Sequence, residues 1–362
     1  MELLQNDRTV PIYAPVTIGA DAGSGWTERL RTAAVESSEI LGGTTEALDW
    51  ARLVGATAPL PGEGRTARLW ELLATIASVD LEVARTVEPH IDALAILAQL
   101  PESPPLAMVG ADALSTWGVF ASEGGPSRVF AQRSDSGWLL TGTKAWCSLA
   151  TIVSHALVTA HTGETTRRLF AVDLDTAQVQ TDFGPWHARG LQRVVSAPVH
   201  FDRAHGVPIG PDEWYLERPG FQWGGIGVAA CWFGGAVGVA RTLHARARRR
   251  EPDLLAQVPI GMVDRALWSA RLALSEAADA VDAHLPAEEM KRIAKRTRGV
   301  VAESAERVLG CAAAAMGPEP MTNDPLHAQR VADLQVYLQQ HHAGRNDAAL
   351  GRIFAGTELS PW

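Results

Sequence analysis

The chain has 362 residues, of which 46% are hydrophobic and 20% are charged, a composition typical of a folded globular protein with two or three sub-domains. Its formal net charge of −9 argues against nonspecific binding to nucleic acid. Three widely spaced cysteines, Cys147, Cys231 and Cys311, predict neither a disulfide framework nor a zinc site, and they fit a reducing cytoplasm. The first residues, MELLQNDRTVPIYAPV, lack the apolar core of a secretory signal. We therefore expect a cytoplasmic protein that binds neither nucleic acid nor membrane.

Residues 1–107 form the first predicted region, an N-terminal helical domain in which helical patterns alternate with Gly and Pro breaks. The clearest helix is predicted in TARLWELLATIASVDLEVARTV, because its apolar residues recur at helical spacing. These residues are Leu69, Leu72, Leu73, Ile76 and Val79. A second helix is predicted in EPHIDALAILAQL and ends before Pro101, which cannot continue it.

Residues 108–215 form the second predicted region, a central β-domain. Short runs such as GWLLTGTKAW, SHALVTA, RRLFAVDL and APVHFDRA alternate in polarity or are rich in β-branched and aromatic residues. Turn-forming stretches such as DSG, HTGET and FGPW separate these runs. The pattern predicts an antiparallel sheet or a small barrel.

Residues 216–362 form the third predicted region, a C-terminal helical bundle. Its first helix is predicted in the stretch from Pro219 to Ala240, which has no charged residue and is long enough to cross a membrane. Its glycines allow close helix packing, and the sequence has no second such stretch, so we interpret it as a buried helix of a soluble domain. Long helical patterns follow in VDRALWSARLALSEAADAVDAHL and EEMKRIAKRTRGVVAESAERVLGCAAAAM. Helices, a β-domain and a second set of helices together predict an α+β fold.

Two adjacent histidines, His341 and His342, end the last predicted helix. Leu334, Leu338 and His341 lie at i, i+4 and i+7 on one helix face, whereas His342 lies roughly 100° away round the helix. His341 therefore faces whatever the two leucines pack against. The residues leave two interpretations open: a partly buried histidine with satisfied hydrogen bonds, or a proton donor or acceptor that faces a cavity.

Four stretches together resemble the acyl-CoA dehydrogenase superfamily. GTKAWCSLATIVSHALVTA has the superfamily's Gly-x-Lys-x-Trp-x-Ser/Thr pattern, and WGVFASEGG resembles its Thr-Glu-Pro turn, with Ser122 and Glu123 at the corresponding positions. RVVSAPVHFDRAHGVP resembles the exit from its β-domain, and PGFQWGGIGVAACWFGGAVGVAR resembles the glycine-rich helix that opens its C-terminal bundle. The likeness runs from about Trp70 to Ile353. It implies an acyl-CoA dehydrogenase-like fold with the three domains described above.

The resemblance implies a flavin cofactor, FAD or FMN, held against the β-domain. Trp146 then forms a wall on one side of the flavin ring. A backbone amide of the segment that includes Cys147 and Ser148, together with the Ser148 hydroxyl, supplies hydrogen-bond donors. Ser122 belongs to the same predicted cofactor site. The alternative interpretation is that Trp146 simply fills the core of the β-domain.

The chain departs from the superfamily at the catalytic base and at the dinucleotide motifs. The superfamily's glutamate comes either from the last helix, at a position near His341, or from the glycine-rich helix, at a position close to Val228. No acid occupies either place. RARRREPDLLAQ keeps arginines, Arg248 among them, but lacks the Phe-Gly pair of the Arg-x-x-Phe-Gly segment, and AAAAMGPEPM keeps only Gly317 of the Gln-x-x-Gly-Gly-x-Gly segment. Arg248 and Gly317 are predicted to bind the cofactor, and FAD, FMN and no flavin all stay open.

Three functions follow as hypotheses. The first is an acyl-CoA dehydrogenase-like, flavin-dependent oxidoreductase that lacks the usual glutamate and acts on an acyl thioester or another small molecule. The second is a two-component flavin-dependent monooxygenase that uses reduced flavin, oxygen and a flavin reductase. Monooxygenases of this superfamily resemble the chain at Ser148 and at a histidine of the last helix, which predicts Ser148, His341 and His342 as catalytic residues. The third is a non-catalytic member that binds a ligand or partner. The resemblance also predicts a homo-oligomer, and no metal site is expected.

Overall fold

The computed structural model describes residues 13–19, 23–40, 43–123, 127–182, 184–248 and 254–356, with side chains in the last range described from residue 257 onward. Within these ranges the α-helices are α1 (Gly23–Glu39), α2 (Thr44–Gly55), α3 (Thr66–Val79), α4 (Leu81–Ala98), α5 (Trp214–Glu217), α6 (Gly220–Ala247), α7 (Leu254–Asp282), α8 (Ala287–Met316), α9 (Glu319–Asn323), α10 (Pro325–Leu338) and α11 (Ala343–Ala355). The strands are β1 (Trp117–Phe120), β2 (Val129–Ser134), β3 (Gly137–Ser148), β4 (His155–His161), β5 (Arg167–Asp173), β6 (Val179–Thr181) and β7 (Ser196–Ile209). Helices therefore precede and follow the strands, which confirms the predicted α+β class.

A break at Asp80 separates α3 from α4. The sequence pattern predicted one helix over 66–87 and another over 88–100, and this boundary is wrong. Asp80 has an extended backbone, and its carboxylate accepts hydrogen bonds from the backbone N–H groups of Glu82 and Val83, at 2.7 and 3.1 Å. Because these N–H groups have no partner inside the helix, the carboxylate caps α4 and fixes the chain direction at this point.

The strands form a sheet in the order β1-β4-β2-β3-β7-β5, with β6 paired to β7. A further pairing between β4 and β5 closes the sheet into a ring of strands. Of the two predicted forms, the structure therefore shows the small barrel. Most pairs are antiparallel, and β4 pairs in parallel with β1 and β2. The long β2–β3 hairpin lies between β1 and β4 in the chain, and a connection of this length permits parallel pairing.

The glycine-rich helix α6 lies at the centre of the C-terminal bundle. By length and composition it could cross a membrane, yet 78% of its most apolar window is buried inside the protein. Its glycines allow α3 to pack directly on its backbone. A Cβ at Gly234 would lie 2.7 Å from the Cα of Ala74, and one at Gly238 would lie 2.7 Å from the carbonyl oxygen of Ser78. The stretch is thus a buried core helix, as its sequence indicated.

The helix before the two histidines is shorter than predicted. α10 ends at Leu338, a turn of 3-10 helix covers Gln339–His341, and His342 has a left-handed backbone with φ 50°. Leu334 and Leu338 are buried, so the apolar face lies where the spacing placed it. His341 lies in the tighter 3-10 turn rather than in the α-helix, yet it still faces α6, the helix that Leu334 packs against: its ring contacts Trp232, and Cδ1 of Leu334 lies 3.2 Å from the Cβ position of Gly235.

Candidate active site

Trp146 lies in a β-bulge near the end of β3. The ladder between β3 and β7 shifts register between Lys144 and Cys147, and Trp146 has a left-handed backbone with φ 60°. This conformation is strained for a large side chain, and strained residues concentrate at functional sites. The indole lies at the surface, with 64% of Trp146 exposed. The alternative that Trp146 fills the core of the β-domain is therefore wrong.

Cys147 and Ser148, the next two residues, have different surroundings. The Cys147 side chain is buried in the core, its Sγ donates to the carbonyl oxygen of Lys144 at 3.3 Å, and burial raises the pKa of its thiol to about 12. The Cys147 side chain is thus not available to a ligand. The Oγ of Ser148 shares a hydrogen bond with the Oγ of Ser196 at 2.8 Å and accepts one from Nη2 of Arg85 at 3.3 Å.

Arg85, on α4, connects the end of β3 to the helical core. Besides its bond to Ser148, its Nη1 lies 3.6 Å from Oε2 of Glu88, one turn further along α4. Its guanidinium also lies over the ring of Tyr337 on α10, 5.8 Å from the ring centroid. Nη1 is buried without a hydrogen-bond partner among the residues that the structure describes. One planar cation therefore contacts groups from the barrel, from α4 and from the last long helix of the bundle.

A cavity of about 360 Å³ lies beside Glu88, with walls from α4, α6 and α8. This volume is in the range of small-molecule sites in proteins. Gly224 leaves room for the carboxylate of Asp92, because a Cβ at position 224 would lie 2.8 Å from Oδ1 of Asp92. The lining is largely polar and consists of Glu88, Asp92, Tyr215, Arg218, Phe221, Gln222, Gly224, Gly225, Val228, Ala294, Lys295, Arg298 and Asn346.

Glu88 and Asp92 line this cavity from successive turns of α4. Burial raises the pKa of Glu88 from 4.5 to about 7, with Arg85 opposing this change and Asp92 adding to it. Burial likewise raises the pKa of Asp92, and the Arg218 guanidinium opposes that change. A carboxyl group with a pKa near neutrality can both accept and release a proton at physiological pH. Glu88 therefore has the properties of a general base or acid.

Three cations line the same cavity: Arg218, Lys295 and Arg298. Arg218 donates from Nη1 to Oε1 of Gln99 at 3.0 Å. Arg298 lies over the Trp232 ring, 4.7 Å from its centroid, and donates to a backbone carbonyl oxygen of α6. Burial lowers the pKa of Arg298 to about 10, so it stays charged at neutral pH. The cavity thus combines carboxyl groups from one helix with cations from two other elements.

His341 packs beside this cavity rather than in its lining. Its ring meets the Trp232 ring edge-on, with centroids 5.7 Å apart, and Nδ1 is buried with no partner among the described residues. Burial lowers the pKa of His341, and Arg298 lowers it further, so the imidazole is neutral at physiological pH. His342 is exposed at the N-terminus of α11. The two predicted catalytic histidines therefore differ: His341 is partly buried against Trp232, and His342 is exposed.

Solved structures identify the architecture of the chain, although no protein-family model and no curated protein matches its sequence. KijD3 in complex with FMN and dTDP-3-amino-2,3,6-trideoxy-4-keto-3-methyl-D-glucose is similar over 98% of this chain and 98% of its own, at 19% identity and a TM-score of 0.74. Apo-form PigA is similar over 92% of this chain and 99% of its own, at 13% identity and a TM-score of 0.77. Butyryl-CoA dehydrogenase from Megasphaera elsdenii covers 92% and 99%, at 14% identity and a TM-score of 0.75.

The chain has the acyl-CoA dehydrogenase fold. The resemblance inferred from four stretches of sequence is thus confirmed at the level of the fold. The other three residues that were predicted to bind the cofactor, Ser122, Arg248 and Gly317, are not in the surroundings described for Trp146 and Ser148. Ser122 is exposed, Arg248 is exposed at the end of α6, and Gly317 ends α8 with φ 66°. A Cβ at Gly317 would meet no atom within 4 Å, so its turn conformation accounts for this glycine. The cofactor roles of all three stay predictions.

The residues at the end of β3 fit the ring of a flavin. The exposed indole of Trp146 offers a flat apolar surface, and Ser148 offers a hydroxyl close by in the chain. Nη1 of Arg85 is buried with no hydrogen-bond partner among the described residues, Glu88 Oε2 being 3.6 Å away, and buried donors in folded proteins are generally paired with protein, water or ligand. The Ser148 hydroxyl and the Arg85 guanidinium suit the isoalloxazine ring, which FAD and FMN share. Such a site needs no contact with the adenosine half of FAD.

Sequence reasoning missed four charged residues of this site: Arg85, Glu88, Asp92 and Arg298. A signal for the first three was present. They recur at i, i+3 and i+7 along α4, a helix whose remaining residues are largely apolar. Charged residues that share one face of a buried helix indicate a polar site inside the fold.

Proposed function

We propose that the chain is a flavin-dependent oxidoreductase that acts on a small polar molecule bound in the cavity between α4, α6 and α8. In this proposal the flavin ring packs against the indole of Trp146, within reach of Ser148 and Arg85. The single observation that carries it is the position of Arg85, which contacts both Ser148 and Glu88. Neighbours of the same fold support a flavin, since KijD3 is in complex with FMN and PigA has a structure with FAD and proline.

Glu88 is the proton acceptor of the proposed reaction. The chain has valine at position 228, but Glu88 reaches the cavity that Val228 also lines, so α4 supplies the carboxylate that α6 lacks. Its pKa of about 7 makes it a stronger base than an ordinary carboxylate and keeps a large fraction ionised at neutral pH. Arg85, at 3.6 Å, stabilises the ionised form before the proton is taken up. The flavin, when bound, supplies the acceptor for the two electrons that the substrate loses.

A second candidate function is a two-component flavin-dependent monooxygenase. The observation that favours it is His341, a neutral imidazole whose buried Nδ1 has no partner in the described part of the chain. A neutral imidazole with an unpartnered nitrogen can accept a proton from a substrate. This candidate requires a flavin reductase as partner. We propose self-association for both candidates.

Flavin titration of the purified protein tests the proposal. FAD and FMN, each in oxidised and in reduced form, are added without oxygen, and binding is followed through tryptophan fluorescence and the visible spectrum. Trp146→Ala should weaken the binding of the preferred flavin about tenfold, because it removes one face of the ring site. Trp268→Ala is the matched control, because Trp268 is an exposed tryptophan on α7 and should leave the affinity unchanged.

The outcomes separate the candidates. Tight binding of oxidised flavin supports the first candidate, and binding of reduced flavin alone supports the second. Equal weakening by Trp146→Ala and Trp268→Ala would contradict the proposed ring site. Failure to bind any of the four forms would contradict both candidates and leave a non-catalytic ligand-binding role. Once a substrate is found, Glu88→Gln should abolish turnover in the first case and His341→Ala in the second.

A further inference from the structure

We infer that the cavity between α4, α6 and α8 binds an anionic group of the substrate, a carboxylate or a phosphate. The inference rests on the proposed function, because it names the class of molecule that the oxidoreductase accepts. The main evidence for the anion site is Arg218, and Lys295 and Arg298 of α8 support it.

Arg218 is a buried guanidinium in the wall of this cavity. Only 5% of the residue is exposed, and it lines the cavity just before α6 begins. Gln99 accepts a hydrogen bond from Nη1 at 3.0 Å, and the rings of Tyr215 and Trp214 lie 5.1 and 5.8 Å from the guanidinium carbon. These contacts hold the guanidinium in place, yet Nε has no hydrogen-bond partner among the described residues. A buried, charged N–H is costly to leave unpaired, so an acceptor on a molecule bound beside Arg218 would stabilise the guanidinium.

Lys295 and Arg298 bring two further cations to the cavity from α8. The ammonium group of Lys295 forms no ion pair with any residue that the structure describes. Arg298 is held by the Trp232 ring and by one carbonyl oxygen, which leaves other N–H groups of its guanidinium for a ligand. Cations from two elements that share one cavity form a site for a negatively charged group.

The two acids of the cavity offset only part of the charge of its three cations, although Asp92 interacts electrostatically with Arg218. Glu88 already has a cationic partner, Arg85, at 3.6 Å. Burial shifts Asp92 toward its neutral form, which can donate a hydrogen bond to an anion instead of repelling it. An apolar acyl chain in this cavity would desolvate Arg218 without pairing it, at a cost in binding free energy. The lining thus selects a carboxylate- or phosphate-bearing molecule over a simple acyl chain.

Anion titration of the full-length protein without added flavin tests the inference. Inorganic phosphate and malonate are the probes, sodium chloride holds the ionic strength constant, and isothermal titration calorimetry measures Kd. One probe should bind more tightly than the other, which identifies the phosphate or the carboxylate class. Lys295→Gln should weaken this binding about tenfold, and Arg218→Lys should weaken it further, because lysine lacks the planar fork. Arg265→Gln, which removes an exposed arginine of α7 outside the cavity, should change Kd less than about twofold.

The result is decisive even if Arg218→Lys fails to fold, since Lys295 is only partly buried and its substitution should preserve the fold. Absence of binding above the chloride background, or equal weakening by Lys295→Gln and Arg265→Gln, would overturn the inference. Flavin binding is measured separately through Trp146. Loss of anion binding with intact flavin binding would therefore refute the anion site alone.

Discussion

Replacement of Glu88 by glutamine should make the protein more stable at neutral and alkaline pH and change it little in acid. Glutamine has nearly the size of glutamate and resembles its protonated form, so it keeps the packing around α4 while it removes the buried charge. In the native protein the pKa of Glu88 is raised by burial from 4.5 to about 7. The native state therefore holds a proton that the unfolded chain releases between these two pH values, and stability falls as pH rises through this window.

The size of the effect follows from the same two pKa values. A change from 4.5 to about 7 corresponds to about 3 kcal/mol of free energy of unfolding once the pH exceeds both values. Only 10% of the Glu88 side chain is exposed, so solvent screens little of this cost. The difference in stability between Glu88→Gln and the natural protein should thus grow by about 2 kcal/mol between pH 5 and pH 8.

Urea unfolding followed by tryptophan fluorescence measures this difference at the two pH values. The matched control is Glu306→Gln, which replaces an exposed glutamate of α8 and should shift stability equally at both. The reasoning is refuted if Glu88→Gln changes stability by the same amount at pH 5 and pH 8. It is also refuted if the variant is less stable at pH 8, because the ion pair with Arg85 would then outweigh the burial of the charge.

Three further predictions concern stability and reactivity. Gly234→Ala should lower the free energy of unfolding by about 3 kcal/mol in a thermal or urea experiment, because its Cβ would lie 2.7 Å from the Cα of Ala74. The control is Gly261→Ala, whose Cβ would meet no atom within 4 Å and which should stabilise α7 by up to about 1 kcal/mol. Asp80→Ala removes the cap of α4 and a partly buried salt bridge with Arg193, and should cost about 3 kcal/mol by the same assay. An alkylating reagent should modify only Cys311 in the folded protein and all three cysteines in urea, as measured by mass spectrometry. Cys147 and Cys231 are protected because both are buried and burial raises the pKa of each thiol.

The sequence predicted the order of elements because that information is local. The alternation of strands such as β4 and β5 and the apolar spacing of α3 and α10 show which residues face a core, without any knowledge of what covers them. The charge-free stretch of α6 indicated a helix that is buried on all sides. Boundaries were less well predicted, since the break at Asp80 depends on a side chain that caps the next helix, and an apolar pattern alone does not reveal it.

The sequence by itself determined the α+β class and the glycine-rich core helix, and it predicted a cofactor site at the segment Trp146–Ser148. Only the tertiary structure showed that Arg85 lies between Ser148 and Glu88, and that carboxyl groups of α4 share a cavity with cations of α8. The physical reason is that a pKa or an ion pair depends on which distant helices meet and on how much water they exclude. Such facts arise from packing between elements, and the spacing of residues within one element does not contain them.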